Sequence, residues 1–322
     1  MLQLTNTSGQ VTKDYTYDAF GSEVMPVAGD VNPFRYAGEY TDAETGYQYL
    51  RARYYDANVG RFLTEDPIKD GSNWYIYANN PILYIDPLGL APTTMEAALM
   101  ADKVYNLSDR DAKNDRIIYI DGKNTGWRLI DVEKGREGMK MGIYVKTDAS
   151  HEWNNPLEYA LVFKGSSTLD NWKNNAEQFF SSKSADMWDA INAGKYFSDT
   201  HSKYEITFVG HSKGGAEAAS AAVATAYRNA ILFNPAISNL SDYGLSAKNY
   251  TGNMQIYIVE GEILHTMQGW FSGPPIGKNS EIVYLPQQHK FKWSDTTPGR
   301  VNKRIQNHLM PAVISALKEA GY

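Results

Sequence analysis

In the second half of the chain the apolar positions fall into short, nearly unbroken runs. Glu158-Tyr159-Ala160-Leu161-Val162-Phe163, Ile206-Thr207-Phe208-Val209, Ala230-Ile231-Leu232-Phe233 and Met254-Gln255-Ile256-Tyr257-Ile258-Val259 are the clearest. Apolar runs of about four to eight residues bounded by turn residues predict buried strands. Longer stretches of helical character lie around them: Thr94 to Tyr105, with Thr93 or Thr94 as N-cap, Asn171 to Phe180, Ser184 to Phe197, and an amphipathic Leu309 to Ala320. Strands alternating with helices predict the α/β class, a mostly parallel sheet with helices on both faces. The first third reads differently. Residues 15–90 are rich in Tyr, Gly, Asn and Asp, and Tyr47-Gln48-Tyr49-Leu50-Arg51-Ala52-Arg53-Tyr54-Tyr55 alternates with period two. That pattern, broken by turns such as Asp18-Ala19-Phe20-Gly21 and Asn79-Asn80-Pro81, predicts short strands that pack on neighbouring strands. The texture changes at Leu90-Ala91-Pro92, which divides a β-rich part, residues 1–90, from an α/β domain, residues 91–322.

The run Ile206–Val209 leads into Gly210-His211-Ser212-Lys213-Gly214-Gly215 and then an alanine-rich stretch, Ala216 to Ala222. Strand, Gly-x-Ser-x-Gly, helix is the order of a nucleophile elbow. The bland alternative is a plain strand-to-helix connection with a buried serine. A serine nucleophile needs a general base, an acid to orient that base, and donors for the oxyanion. In the α/β-hydrolase order the acid and then the histidine follow the serine. His265, His289 and His308 lie downstream. His265 sits too close behind a strand, and His308, read as a loop residue just before the closing helix, is favoured over His289. Glu262, anchored by the apolar pair Ile263-Leu264, is favoured as the acid over Glu260, with Asp242 and Asp295 as weaker choices. The amide of Lys213 is one expected oxyanion donor. Ser166, following the strand Leu161-Val162-Phe163, supplies the second. The Gly/Pro-hinged stretch His265 to Ile276 reads either as a lid or as a packed connection, and Met187-Trp188 as a lesser contributor.

Composition narrows the chemistry. Zero cysteines exclude disulfides, thiolate metal sites and a cysteine nucleophile, and nothing in the pattern calls for a cofactor or metal. The net charge of −6 and the lack of a dense Lys/Arg cluster argue against nucleic acid as a partner. Residues 1–6 are not expected to act as a signal peptide, and no run reaches the ~18–20 apolar residues of a membrane span.

Two resemblances follow from these residues. Tyr17-Asp18-Ala19-Phe20-Gly21, Asn32 to Tyr40, Thr45 to Asp56, Gly60-Arg61-Phe62-Leu63-Thr64-Glu65-Asp66-Pro67 and Asp86-Pro87-Leu88-Gly89-Leu90 resemble the carboxy-terminal end of the RHS-repeat core. The resemblance implies repeats that wind into a β-cage ending at the Asp86–Leu90 block, a variable toxin after it, and self-cleavage after Leu90. Arg61, Asp66 and Asp70 are then candidates for the acid machinery, because paired carboxylates can share a proton. Few upstream repeats are present in this sequence, so a closed cage is not expected from it alone. It further implies an upstream RHS cage, an immunity protein as partner, and secretion or delivery into a target cell. Val162-Phe163-Lys164-Gly165-Ser166, Asp170 to Asn175, Val209 to Gly215 and Phe233-Asn234-Pro235 resemble the class 3, fungal-lipase-like α/β-hydrolases over roughly residues 95–320. This implies hydrolysis of lipid esters, transient contact with a membrane surface, and Ser166 at the oxyanion position. Two departures stand out: Glu in place of the usual Asp, and Lys213 where a leucine-like residue is usual. The combined expectation is an RHS-linked toxin with a serine lipase or phospholipase payload. The alternatives are a general esterase without toxicity and an inactive hydrolase-fold binding module.

Overall fold

A computed structural model of the chain describes residues 3–18, 20–27, 29–50, 53–65, 75, 92–107, 117–120, 122–136, 138–147, 156–166, 184–236, 238–264, 280–292 and 294–322. It divides into two compact units, Met1–Ala91 and Pro92–Tyr322.

The first unit is built from short antiparallel strands. β1 (Gln3–Thr5) pairs with β2 (Val11–Asp14). A second sheet runs in the order β3 (Tyr40–Thr41), β4 (Gln48–Leu50), β5 (Arg53–Asp56), β6 (Arg61–Phe62). Within the alternating run β4 and β5 are antiparallel neighbours, with Tyr49 opposite Tyr54 and their rings 5.2 Å apart. Alternation puts Leu50, Tyr55 and Phe62 on one face, where they form a small buried cluster with Tyr36 against it. Arg61 stands exposed in β6 opposite Asp56. Asp66, Asp70 and Leu90 lie outside the described residues.

The second unit holds an eight-stranded sheet in the order β14-β13-β12-β11-β10-β9-β8-β7. β10 (Pro156–Phe163), β11 (Glu205–His211), β12 (Asn229–Phe233), β13 (Met254–Val259) and β14 (Ser280–Leu285) are parallel neighbours. The other end is an antiparallel meander of β7 (Ile117–Ile120), β8 (Lys123–Lys134) and β9 (Lys140–Thr147), which joins β10 antiparallel. Sequence pattern did not point to this meander, because Lys, Asp and Glu interrupt β8.

Two-residue alternation sorts the strand side chains onto two apolar layers. Ala160, Val162, Val209, Phe233 and Val259 face helices α1 (Thr94–Lys103) and α5 (Met310–Ala320). Leu161, Phe163, Phe208, Leu232 and Ile256 face α2 (Ala185–Thr200) and α3 (Lys213–Thr225). This is the mostly parallel sheet with helices on both faces of the α/β-hydrolase class. Glycine and alanine let α2 approach α3 closely, since a Cβ on Gly194 would lie 2.8 Å from Ala221 Cβ. Thr93 caps α1 in a reciprocal box: its hydroxyl accepts from Glu96 N at 3.1 Å, and its own N–H donates to Glu96 Oε2 at 2.9 Å. The expected helix over Asn171 to Phe180 lies outside the described residues.

Candidate active site

Ser212 joins β11 to α3 with φ 59° and ψ −128°, a region L-residues rarely occupy. Such strain costs about 1–3 kcal/mol and persists only where the surroundings enforce it. Here the enforcement is visible. The Ser212 N–H donates to the Phe233 carbonyl at 3.2 Å, and its own carbonyl accepts from Gly215 N at 3.0 Å and Ala236 N at 2.9 Å. A Cβ at Gly210 would collide with the Gly214 carbonyl, and one at Gly214 with the Phe163 carbonyl. The two flanking glycines are thus required by backbone packing.

Ser212 lines a cavity of about 150 Å³ together with Ser166, His308, Tyr105 and Asp102, and with Leu309, Met310 and Pro311 at one side. The Lys213 amide is among the first amides of α3, which have no partner inside the helix and point toward the helix start. The loop bearing Ser166 is pressed on the elbow: a Cβ at Gly165 would sit 3.1 Å from Ser212 Cβ.

Glu262 and His308, 46 residues apart in sequence, are hydrogen-bonded at 2.7 Å between Oε2 and Nδ1, both almost fully buried. Glu262 Oε2 also accepts from Leu264 N at 2.8 Å, so the apolar pair Ile263-Leu264 anchors the acid loop. A carboxylate on Nδ1 places the ring hydrogen there and leaves the Nε2 lone pair as the basic site. His308 is not a loop residue. It ends α4 (Thr297–His308), and Leu309, in extended backbone, separates that helix from α5. α4 escaped the sequence reading because its surface is mostly polar and only a narrow apolar stripe, with Ile305, faces inward.

The other candidates stand apart. Glu260 is exposed. His289 is exposed, and its backbone N–H donates to Asn307 Oδ1. Asp295 is ion-paired to Lys303. Asp242 sits in a 3₁₀ turn, Leu240–Tyr243. Met187 packs in the core, and the half-exposed Trp188 stacks edge-on against Tyr243. His265 and the stretch to Ile276 lie outside the described residues.

Sequence reasoning missed a polar brace behind the histidine. His211 Nε2 donates to the His308 carbonyl at 2.7 Å, which fixes its tautomer, and His211 Nδ1 therefore accepts from the Tyr105 hydroxyl at 2.7 Å. Burial, and then the proximity of His308, hold the His211 pKa well below its ordinary value, so the ring stays neutral. Asn234, at φ 40°, donates Nδ2 to the same carbonyl at 3.0 Å and accepts from Val259 N at 2.9 Å. His211 lies inside the elbow motif and Asn234 directly follows a buried strand; buried polar residues at such places were the available signal.

Sequence reasoning also missed a charged cluster under the elbow. Lys213 Nζ bonds Asp186 and lies 3.3 Å from Glu217 Oε1, while Asp186 Oδ1 accepts from Met139 N at 2.9 Å. Burial pushes the Glu217 carboxyl up to about 8, against the pull of Lys213. Burial alone would weaken the charge on Lys213, but Glu217 and Asp186 outweigh it and raise its pKa. No cluster of metal-ligating side chains occurs among the described residues.

Residues 96–294, well over half of the chain, match the family described as the Tle-like phospholipase domain. The chain belongs to this phospholipase-like family. Solved structures similar to this phospholipase-like chain include Rhizomucor miehei triacylglyceride lipase, at 14% identity and TM-score 0.41 over 59% of this chain and 77% of that one. Lipase II from Rhizopus niveus aligns at 15% identity and TM-score 0.38, covering 55% and 74%. Among curated proteins, double-stranded DNA deaminase toxin A of Burkholderia cenocepacia is 40% identical over 96 residues, 28% of this chain and 7% of the toxin. The tRNA nuclease WapA of Bacillus subtilis is 39% identical over 99 residues, 28% of this chain and 4% of WapA. YlbH of Escherichia coli is 34% identical over 119 residues, covering 36% and 50%. The chain spans no more than half the length of these relatives.

Proposed function

We propose that the carboxy-terminal unit is a serine hydrolase that cleaves carboxylic esters of membrane lipids. The observation that carries this reading is the buried 2.7 Å Glu262–His308 pair, whose histidine shares one cavity with an elbow serine. Ser212 Oγ attacks the ester carbonyl while His308 Nε2 takes its proton, and Glu262 stabilises the imidazolium that forms. The negative charge on the carbonyl oxygen is met by the amides of Lys213 and Ser166. His308 then returns the proton to the leaving alkoxide. Water, activated by the same histidine, releases the acid from Ser212. No step calls for a cofactor. Family membership supports a phospholipid substrate.

The amino-terminal unit fits the end of an RHS core, with the payload released after Leu90 by Arg61, Asp66 and Asp70 and restrained by an immunity protein. Relatives named as a deaminase toxin and a tRNA nuclease share only a limited block with this chain. That pattern supports one module joined to different toxic activities. Delivery into a target cell follows from this reading. Among the described residues no helix is long and apolar enough to cross a membrane.

The test uses the full chain, wild type and Ser212→Ala. Wild type should hydrolyse p-nitrophenyl esters and phospholipid vesicles, react with a fluorophosphonate probe, and arrest growth when exported to a bacterial periplasm. Ser212→Ala should do none of these. A mutant that keeps full hydrolytic activity would sink the assignment.

A further inference from the structure

We propose that the loop after β14 and the exposed side of α4 form a docking surface for the anionic face of a lipid bilayer, seating the mouth of the Ser212 cavity on its substrate. The inference rests on reading the site as a lipid esterase. Between Pro286 and Met310 the chain carries five cations, Lys290, Lys292, Arg300, Lys303 and Arg304, against one carboxylate, Asp295, in a protein of net charge −6. Spread along the sequence they do not read as a cluster; the fold gathers them. Lys303 Nζ bonds Asp295 Oδ2 at 2.8 Å and the Lys290 carbonyl at 3.1 Å. The Lys292 backbone N–H donates to Asp295 Oδ2 at 2.6 Å, and the Arg304 guanidinium lies 4.9 Å from the Phe291 ring. The Lys292 amide and the Lys303 side chain, with Arg300 nearby, hold the Asp295 carboxyl below the usual carboxylate range. Asp295 thus binds the Lys303 ammonium and the Lys292 amide with Arg300 nearby, and the side chains of Lys290, Lys292 and Arg300 are exposed.

Position ties this surface to the chemistry. α4 ends at His308. Asn307 grips the loop, accepting from His289 N at 2.7 Å and donating to the His289 carbonyl at 3.3 Å. The same loop packs on the acid loop, where a Cβ at Gly261 would lie 3.2 Å from Phe291. Beyond His308, Leu309, Met310 and Pro311 line the cavity. A basic helix face that continues into an apolar cavity edge matches a lipid interface, which offers charge and hydrocarbon side by side. A nucleic-acid backbone would match only the charge. The rest of the protein carries a net negative charge, which an anionic bilayer repels.

Each Lys or Arg at an anionic bilayer surface strengthens binding about fivefold. The experiment is co-sedimentation of the full chain, carrying Ser212→Ala so that lipid is not consumed, with vesicles of phosphatidylcholine alone and of phosphatidylcholine mixed with phosphatidylglycerol. Binding should require phosphatidylglycerol and weaken as salt rises. Lys290→Glu, Lys292→Glu and Arg300→Glu combined should lower it about a hundredfold or more. The neutral Gln versions should lower it less. In the Ser212 background the triple variant should hydrolyse a dissolved short-chain ester at the wild-type rate, which reports an intact fold and site. Equal binding to both vesicles, or a triple variant that binds like its parent, overturns the proposal. So does tighter binding to DNA or tRNA than to phosphatidylglycerol vesicles. Selective vesicle binding by a chain that hydrolyses no ester would overturn the catalytic reading and support the surface.

Discussion

Replacing Glu262 by Gln tests the candidate site at its most buried contact. The side chain is 1% exposed, and one oxygen serves both His308 Nδ1 at 2.7 Å and Leu264 N at 2.8 Å. The amide keeps the volume and can keep a carbonyl oxygen in that place, so the loop and the ring tautomer have no reason to change. What disappears is the negative charge. In the proposed mechanism the charge matters once His308 takes the Ser212 proton, when an ion pair with charge centres roughly 4 Å apart is missing. At an effective dielectric constant of about 20 that pair is worth about 4 kcal/mol. At 1.36 kcal/mol per decade, kcat should fall about a thousandfold. KM should barely move, because the charge develops only on the way to the transition state. Steady-state hydrolysis of a p-nitrophenyl ester gives both constants, and a thermal melt confirms that the variant folds. His289→Ala, removed from the cavity, is the control and should match wild type. A Glu262→Gln enzyme within tenfold of wild type would refute the role given to this carboxylate.

Two further substitutions probe the supports of the site. Asn234→Ala leaves the buried amide of Val259 without its 2.9 Å acceptor and removes one of the donors to the His308 carbonyl, so it should cost about 1–3 kcal/mol in denaturant unfolding and lower kcat with little change in KM; unchanged stability and kcat would remove Asn234 from the brace. Glu217→Gln addresses pH. Burial raises this carboxyl from 4.5 to about 8, so the folded state holds a proton that the unfolded chain has released, and Glu217 destabilises the fold increasingly as pH climbs through that window. The melting temperature of the variant relative to wild type should therefore rise between about pH 5 and pH 8. A difference that stays flat with pH would contradict the buried, proton-holding carboxyl.

How much of this was legible in the sequence follows from how local each constraint is. Ser212 is fixed by its immediate neighbours: the strained backbone needs Gly210 and Gly214 because their Cβ atoms would strike main chain, and so five residues announce the turn. β10 to β13 were legible for a related reason. Each is covered on both faces, which forces continuous apolar runs that polar interruption would spoil. β8 and α4 are partly exposed, and Lys, Asp, Glu and Arg occupy their outer faces, so their periodicity is diluted and pattern reading passed over them.

His308 shows the limit of local reading most clearly. Chain order made it a candidate, but its placement depends on contacts that no short segment contains. Glu262 holds its ring from 46 residues away, and His211 holds its carbonyl from 97 residues away. His211 is in turn fixed by Tyr105, a further 106 residues upstream. Asn234 adds a second grip on the same carbonyl from the end of β12. The ring is thus oriented through a side chain and the backbone through two others, on separate elements. Because the elbow residue His211 belongs to the brace, the turn that strains Ser212 also sets the main-chain position of His308. Ser212 and His308 are therefore positioned as one unit, and a change at Tyr105, which also faces the cavity, should be felt at both.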